Sequence, residues 1–158
     1  MAIVVTCFEN QLAMKPLFKE PVLECFLDTD AKVLFHVWLS KPTNEQFKQG
    51  LTKVFDQYQI YKKEISPLHW LGDTRLLGVI SLESQGWLEK TWNDMLFQKA
   101  GVKSHVVIIG TDVFAKYAME KFKTSMQTKY VDRKLFLETF PDKESAYKWF
   151  KQIEPQMV

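Results

Sequence analysis

Four times between residues 33 and 153, a short run of β-branched and aromatic residues gives way to a segment whose apolar side chains recur every three or four positions. Strands alternate with a period of two and helices with a period of about 3.6, so this succession predicts repeated βα units and a mostly parallel sheet. It also narrows the topology, because parallel neighbours need crossovers and these are right-handed as a rule.

Ahead of the first helix, residues 22–27 and 33–39 flank Asp28-Thr29-Asp30, a tripeptide suited to a tight reversal, which predicts an antiparallel hairpin. Alternation in the second arm sets Val33, Phe35, Val37 and Leu39 against Leu34, His36 and Trp38, so both faces need cover. A helix follows over 43–60: Thr43 can cap its amides, Gln46 occupies the reciprocal box position, and Phe47, Leu51, Val54, Phe55 and Tyr58 form its packing face. A short strand at 68–71 ends at Gly72 and Asp73, and residues 74–82 read as a helical turn, a buried loop or a strand. Ser81 or Ser84 starts the next helix and Gly101 stops it. Residues 102–109 carry the strongest strand signal, and Thr111 or Asp112 caps a helix whose apolar face takes in Phe114, Ala115, Ala118, Met119, Phe122 and Met126. A last strand at 135–140 leads through Pro141-Asp142 into a helix bearing Ala146, Trp149, Phe150 and Ile153. Among residues 1–20, 3–8 suit an edge strand and 14–18 an irregular cover, packed on one domain of residues 21–158.

Composition supports a packed domain: with 46% hydrophobic and 25% charged residues in 158, the chain is neither disordered nor collagenous. A formal charge of +2 gives no general case for nucleic-acid binding. Cys7 and Cys25 are too few for a disulfide framework and form no CxxC motif, so reduced thiols are expected. The first residues lack the basic-then-apolar order of an export signal and no apolar run is long enough to span a bilayer, which predicts a cytoplasmic protein without integral membrane association.

The stretch Trp70-Leu71-Gly72-Asp73-Thr74-Arg75-Leu76-Leu77-Gly78-Val79-Ile80-Ser81, followed by Trp87 and Trp92, resembles an uncharacterised bacterial family of the SpoIIAA-like class, grouped with STAS/SEC14-type domains. Gly101 before the strand at 104–109 and the run from Phe140-Pro141-Asp142 to Trp149-Phe150 agree with it, and the similarity covers residues 21–154. The resemblance implies an α/β fold: a single-domain βα superhelix with a mixed, mostly parallel five- or six-stranded sheet and an N-terminal antiparallel hairpin. It also implies regulatory or carrier relatives. In anti-anti-sigma domains a phosphorylatable serine occupies an Asp-Ser-Ser-Gly-like turn; the nearest match here, Asp73-Thr74-Arg75, lacks the serine pair and the glycine.

No assembled catalytic motif is present. His36, His69 and His105 form no HExxH or other short metal-ligand cluster, and they read first as strand residues. Of the three, His69 is the best functional candidate, because Asp73 follows it and carboxyl ends of parallel strands face ligands, but no nucleophile can be assigned to it and no catalytic residue is named. No phosphate loop or dinucleotide fingerprint occurs, and Asp112 can itself occupy the helix terminus near Thr111, so no cofactor is implied. Asp28 and Asp30 read as turn residues, and Glu83 and Glu89 as solvated helix residues.

Two surfaces remain. Lys116, Lys121, Lys123, Lys129, Arg133 and Lys134 form a basic bias able to steer an acidic protein, a nucleotide or membrane headgroups, though it reads first as a solvated helical face; an RNA reading would need exposed aromatics beside it, for which Tyr117 and Tyr130 are available while Phe114 and Phe122 suit packing. Trp70, Trp87 and Trp92 surround the variable segment. On an ideal helix Trp87 and Trp92 diverge by about 140°, so one can pack inward while the other lines a groove; the tryptophans read first as core or loop support, and second as part of a shared apolar pocket with Leu76, Leu77 and Ile80. The leading expectation is a noncatalytic regulatory or protein-binding domain that binds through Trp70, Asp73, Thr74, Arg75, Leu76, Leu77, Ile80, Trp87 and Trp92. A small apolar ligand or lipid is the alternative, and an enzyme of unknown class the third reading. A homodimer would bury an uncovered sheet face, unless the first twenty residues cover it.

Overall fold

The computed structural model describes residues 14–157; the expected strand at 3–8 and Cys7 fall outside them. The elements are β1 (Met14–Lys19), β2 (Leu23–Asp28), β3 (Val33–Trp38), α1 (Asn44–Tyr61), β4 (His69–Asp73), α2 (Leu82–Trp87), β5 (Ser104–Ile108), α3 (Val113–Lys129), β6 (Phe136–Phe140) and α4 (Lys143–Ile153). α2 continues through two widened turns, Leu88–Trp92 and Met95–Lys99, whose amide bonds reach five residues back.

The six strands lie in sequence order in one sheet, β1-β2-β3 antiparallel and β3-β4-β5-β6 parallel. The parallel part steps one neighbour per βα unit without reversing. α1, α2 and α3 pack on one face, over Leu34, Trp38, Trp70 and Leu137, while α4 packs on the other, over Val33, Phe35, Leu71, Val106 and Ile108. Each helix starts on a side-chain cap that accepts a backbone amide: Thr43 from Gln46 in a complete capping box, Ser81 from Ser84, Asp112 from Phe114 and Asp142 from Ser145. Gly101, at φ +71°, turns the chain out of α2 in the left-handed region.

Three expectations change. Residues 14–18 belong to an edge strand rather than an irregular cover; Pro16 is tolerated there because the register shifts between Pro16 and Phe18. Gly72 and Asp73 do not follow β4 but form its last two residues, paired with His36 and Val37. Phe114 and Ala118 are exposed instead of joining the apolar face of α3, whose one buried residue is Met126. The reason is length. Seventeen helical residues span about 25 Å against about 17 Å for the five-residue strand below, so α3 overhangs the sheet at its amino end.

Gly72 is required by its neighbour rather than by a turn. A Cβ there would lie 2.7 Å from His36 Cε1 and 2.8 Å from Nε2, and that ring is held between Trp38 and Trp70. Gly72→Ala should therefore cost about 1–3 kcal/mol in urea unfolding, as overpacking does. Adding His36→Ser should make the double variant's loss smaller than the sum of the single losses; strict additivity would refute the proposed clash.

Candidate functional site

β3, β4, β5 and β6 point the same way, so the loops after them and the amino termini of α1 to α4 share one edge of the sheet. Asp73, almost fully buried, organises it: Oδ1 accepts from Arg75 N at 3.1 Å and Nε at 3.0 Å, and Oδ2 accepts from Arg75 Nη2 at 2.6 Å. The ion pair holds the half-exposed guanidinium fully charged, with Asp142 adding to the field. Thr74 is bound to β5, its amide and hydroxyl donating to the Ile108 carbonyl at 3.0 and 2.9 Å.

Residues 74–81 are an irregular turn and loop pinned at a few positions. Leu77 enters the core, Ile80 packs partly against it, and Ser81 and Ser84 donate to Asn44 Oδ1 at 2.5 and 3.1 Å while Asn44 Nδ2 donates to Glu83. Gly78, at φ +78°, makes the bend, with the Lys41 stem lying beside it. Leu76, Val79 and Leu82 are left facing solvent, and Val113, Phe114 and Tyr117 on the overhang of α3 are equally bare, each between 61% and 85% exposed. A cleft of about 170 Å³ separates the loop from α1 and is lined by Pro42, Phe47, Leu77 and Ile80 among others.

The expected binding residues therefore divide. Arg75 and Leu76 are exposed, Thr74, Ile80 and Trp87 half-buried, and Trp70, Asp73, Leu77 and Trp92 buried. Trp87 and Trp92 do not diverge: their rings stack 5.6 Å apart, because the widened turn brings residues five apart onto one side. They close a circuit of rings, Trp92 to Trp70 at 5.8 Å, Trp70 to His36 at 5.5 Å, His36 to Trp38 at 6.3 Å, Trp38 to Phe47 at 5.5 Å and Phe47 to Trp87 at 6.2 Å. His105 stacks on Trp70 from β5. Burial, reinforced by the neighbouring His105, pushes the His36 imidazole down to about 3, and burial pushes His105 down to about 4.

The basic helix exposes Phe114 and Tyr117 where Tyr117 and Tyr130 were expected. Tyr117 is exposed, but Tyr130 is buried with its hydroxyl donating to Asp94, and Phe122 packs on the core. Lys123 pairs with Glu138 and Lys129 with Asp94. Asp28 acts at its turn, accepting from Ala31 N, and also ties the hairpin to α4 by accepting from Tyr147.

His69 lies at the amino end of β4, not the carboxyl end, so Asp73 is about 13 Å along the strand from it. Its partners come from distant segments that no short motif signals: Nδ1 is 2.6 Å from Ser104 Oγ and Nε2 is 2.8 Å from Glu154 Oε1. A carboxylate only accepts, so Nε2 carries the ring proton and Nδ1 accepts from the serine. This is the order of groups in a hydrolase relay. Ser104 and His69 are nevertheless fully buried, Phe150 stacks on the imidazole at 4.3 Å, and burial lowers the imidazole's proton affinity. No substrate can reach the hydroxyl; the relay fastens α4 to the starts of β4 and β5. Among the described residues no group of three or more His, Cys, Asp or Glu is arranged to hold a metal ion.

Two outcomes follow from the buried imidazoles. A fluorophosphonate probe should leave the folded protein unlabelled, and Ser104→Ala should lose about 1–3 kcal/mol of stability because His69 Nδ1 is orphaned; labelling abolished by Ser104→Ala would instead establish a reactive serine. In the unfolded chain His36 and His105 titrate near 6.5, so below that pH the unfolded state binds more protons and stability falls as pH falls, towards the folded values of about 3 and 4. The slope is at most about 1.4 kcal/mol per pH unit for each ring. Urea melts of a His36→Leu, His105→Phe variant should show a shallower slope over this window, and an unchanged slope would place its origin elsewhere.

Comparison with models of protein families, with curated proteins and with solved structures finds no match to this chain.

Proposed function

We propose that this chain is a noncatalytic recognition domain of SpoIIAA-like architecture whose partner surface is the carboxyl-terminal edge of its parallel strands, from Thr74 to Leu82 and along the start of α3. One observation carries the reading: of the eight large apolar side chains exposed among the described residues, six lie at this edge, and only Ile60 and Val131 lie at the other. Scattered exposed apolar residues are ordinary, but their concentration on one rim marks an interaction surface. The sequential βα winding and the N-terminal hairpin support the SpoIIAA-like assignment.

The absence of an accessible nucleophile around the one histidine relay argues against hydrolysis at His69. The apolar-ligand alternative has the cleft beside Phe47 and Leu77 in its favour, yet about 170 Å³ is below the usual size of a ligand pocket. Recognition by the rim explains the exposed side chains without requiring a cavity.

The test is a photoreactive phenylalanine analogue placed at Val79, Phe114, Ile60 or Val131 of the full chain in cells. Adducts should form from positions 79 and 114 and not from 60 and 131. Adducts confined to 60 and 131, or equal yields from all four, would overturn the location.

A further inference from the structure

We infer that the rim is an insertion surface for an anionic phospholipid bilayer; this rests on the recognition reading above and names the partner. The carrying observation is a coincidence of charge and apolar exposure on α3. Its seventeen residues hold four lysines against one glutamate, a net +3, whereas the whole chain has +2, so everything outside this helix sums to −1. Val113, Tyr117 and Lys121 follow one another at intervals of four along its outward side, and Phe114 stands next to them. Lys116 and Glu120 flank that line.

Of the carboxylates at this edge, Asp73 is paired with Arg75 and Glu83 with Lys48, and Asp112 and Asp142 lie against the amide ends of the helices they cap, while Glu45, Glu144 and, beside the exposed line of α3, Glu120 are in no ion pair among the described residues. The charge that favours an anionic surface is therefore that of α3 itself. Lys41, Lys116 and Lys121 have no carboxylate within ion-pair reach among the described residues. The tips are chiefly aliphatic, Leu76, Val79, Leu82 and Val113, which neither stack on bases nor bond to phosphates. Buried among acyl chains, they and Phe114 leave water, while lysine stems rise to the phosphate level. No helix among the described residues is long and apolar enough to cross a membrane, so the association is peripheral.

The experiment is co-sedimentation of the full chain with vesicles of phosphatidylcholine alone and of phosphatidylcholine mixed equally with phosphatidylglycerol. Binding should require the anionic lipid and weaken with salt. Lys116→Gln with Lys121→Gln should weaken it about thirtyfold, from roughly 1 kcal/mol for each lysine at such a surface. Phe114→Ser should weaken it about tenfold or more, and Ile60→Ser should leave it unchanged; both sites are exposed, and circular dichroism checks the fold. Failure to bind anionic vesicles while positions 79 and 114 crosslink to a protein, including a second copy of this chain, would overturn the lipid assignment and leave the recognition surface standing. Failure of both vesicle binding and crosslinking would overturn both. Equal binding to the two vesicle types, or binding indifferent to these substitutions, would overturn the lipid assignment as well.

Discussion

Trp70 is the contact on which the helical face of this protein depends. Its indole meets His36 from β3, Tyr58 from α1, Trp92 from the widened part of α2 and His105 from β5. Aromatic pairs at these separations add to the area they bury, so one side chain on a central strand joins four other elements. The arrangement has two conditions. Residue 72 must lack a side chain for the His36 ring to lie against it, and both imidazoles must remain neutral in a site that water does not reach.

The same packing decides what is left outside. α1 and α2 are drawn onto the aromatic layer, and the loop between β4 and α2 is fixed by Leu77 on the core side and by the Asn44 network at its end. Ile80 packs partly against the core, while Leu76 and Val79 are left exposed among the described residues. α3 behaves differently, gripping the core through Met126 and Phe122 near its carboxyl half while its first turns run beyond the sheet. A rigid scaffold thus displays aliphatic side chains and unpaired lysines at one rim, a pattern suited to binding a large surface rather than enclosing a small molecule. At the other rim, the histidine most suggestive of chemistry is closed over by Phe150 and used as a fastening.

Much of this was legible in the sequence. The capping box at Thr43 and Gln46, the stop at Gly101, and the cap at Thr111 or Asp112, which falls on Asp112, operate within one helical turn, so their neighbours in sequence are their neighbours in space. The sequence could name a segment for the recognition surface, Asp73 and Thr74 through Gln85 backed by Trp87, but not its division into buried and exposed members, nor the exposed start of α3. Trp87 and Trp92 illustrate why. Their relative direction depends on a helix that widens by one residue in its hydrogen bonding, a choice made by packing against Phe47, Phe55 and Trp70.

Local pattern alone determined the alternation of strands and helices, the N-terminal hairpin and the helix starts, because periodicity and capping are short-range physics. Tertiary structure alone decided the rest. The bond from His69 to Glu154 joins residues 85 apart, and the circuit of rings gathers side chains from β3, α1, β4 and α2. The exposure of Phe114 follows from a helix longer than the strand it covers. Phe114 carries the same periodic signal as a core residue, and what separates the two is whether the sheet extends far enough to meet it.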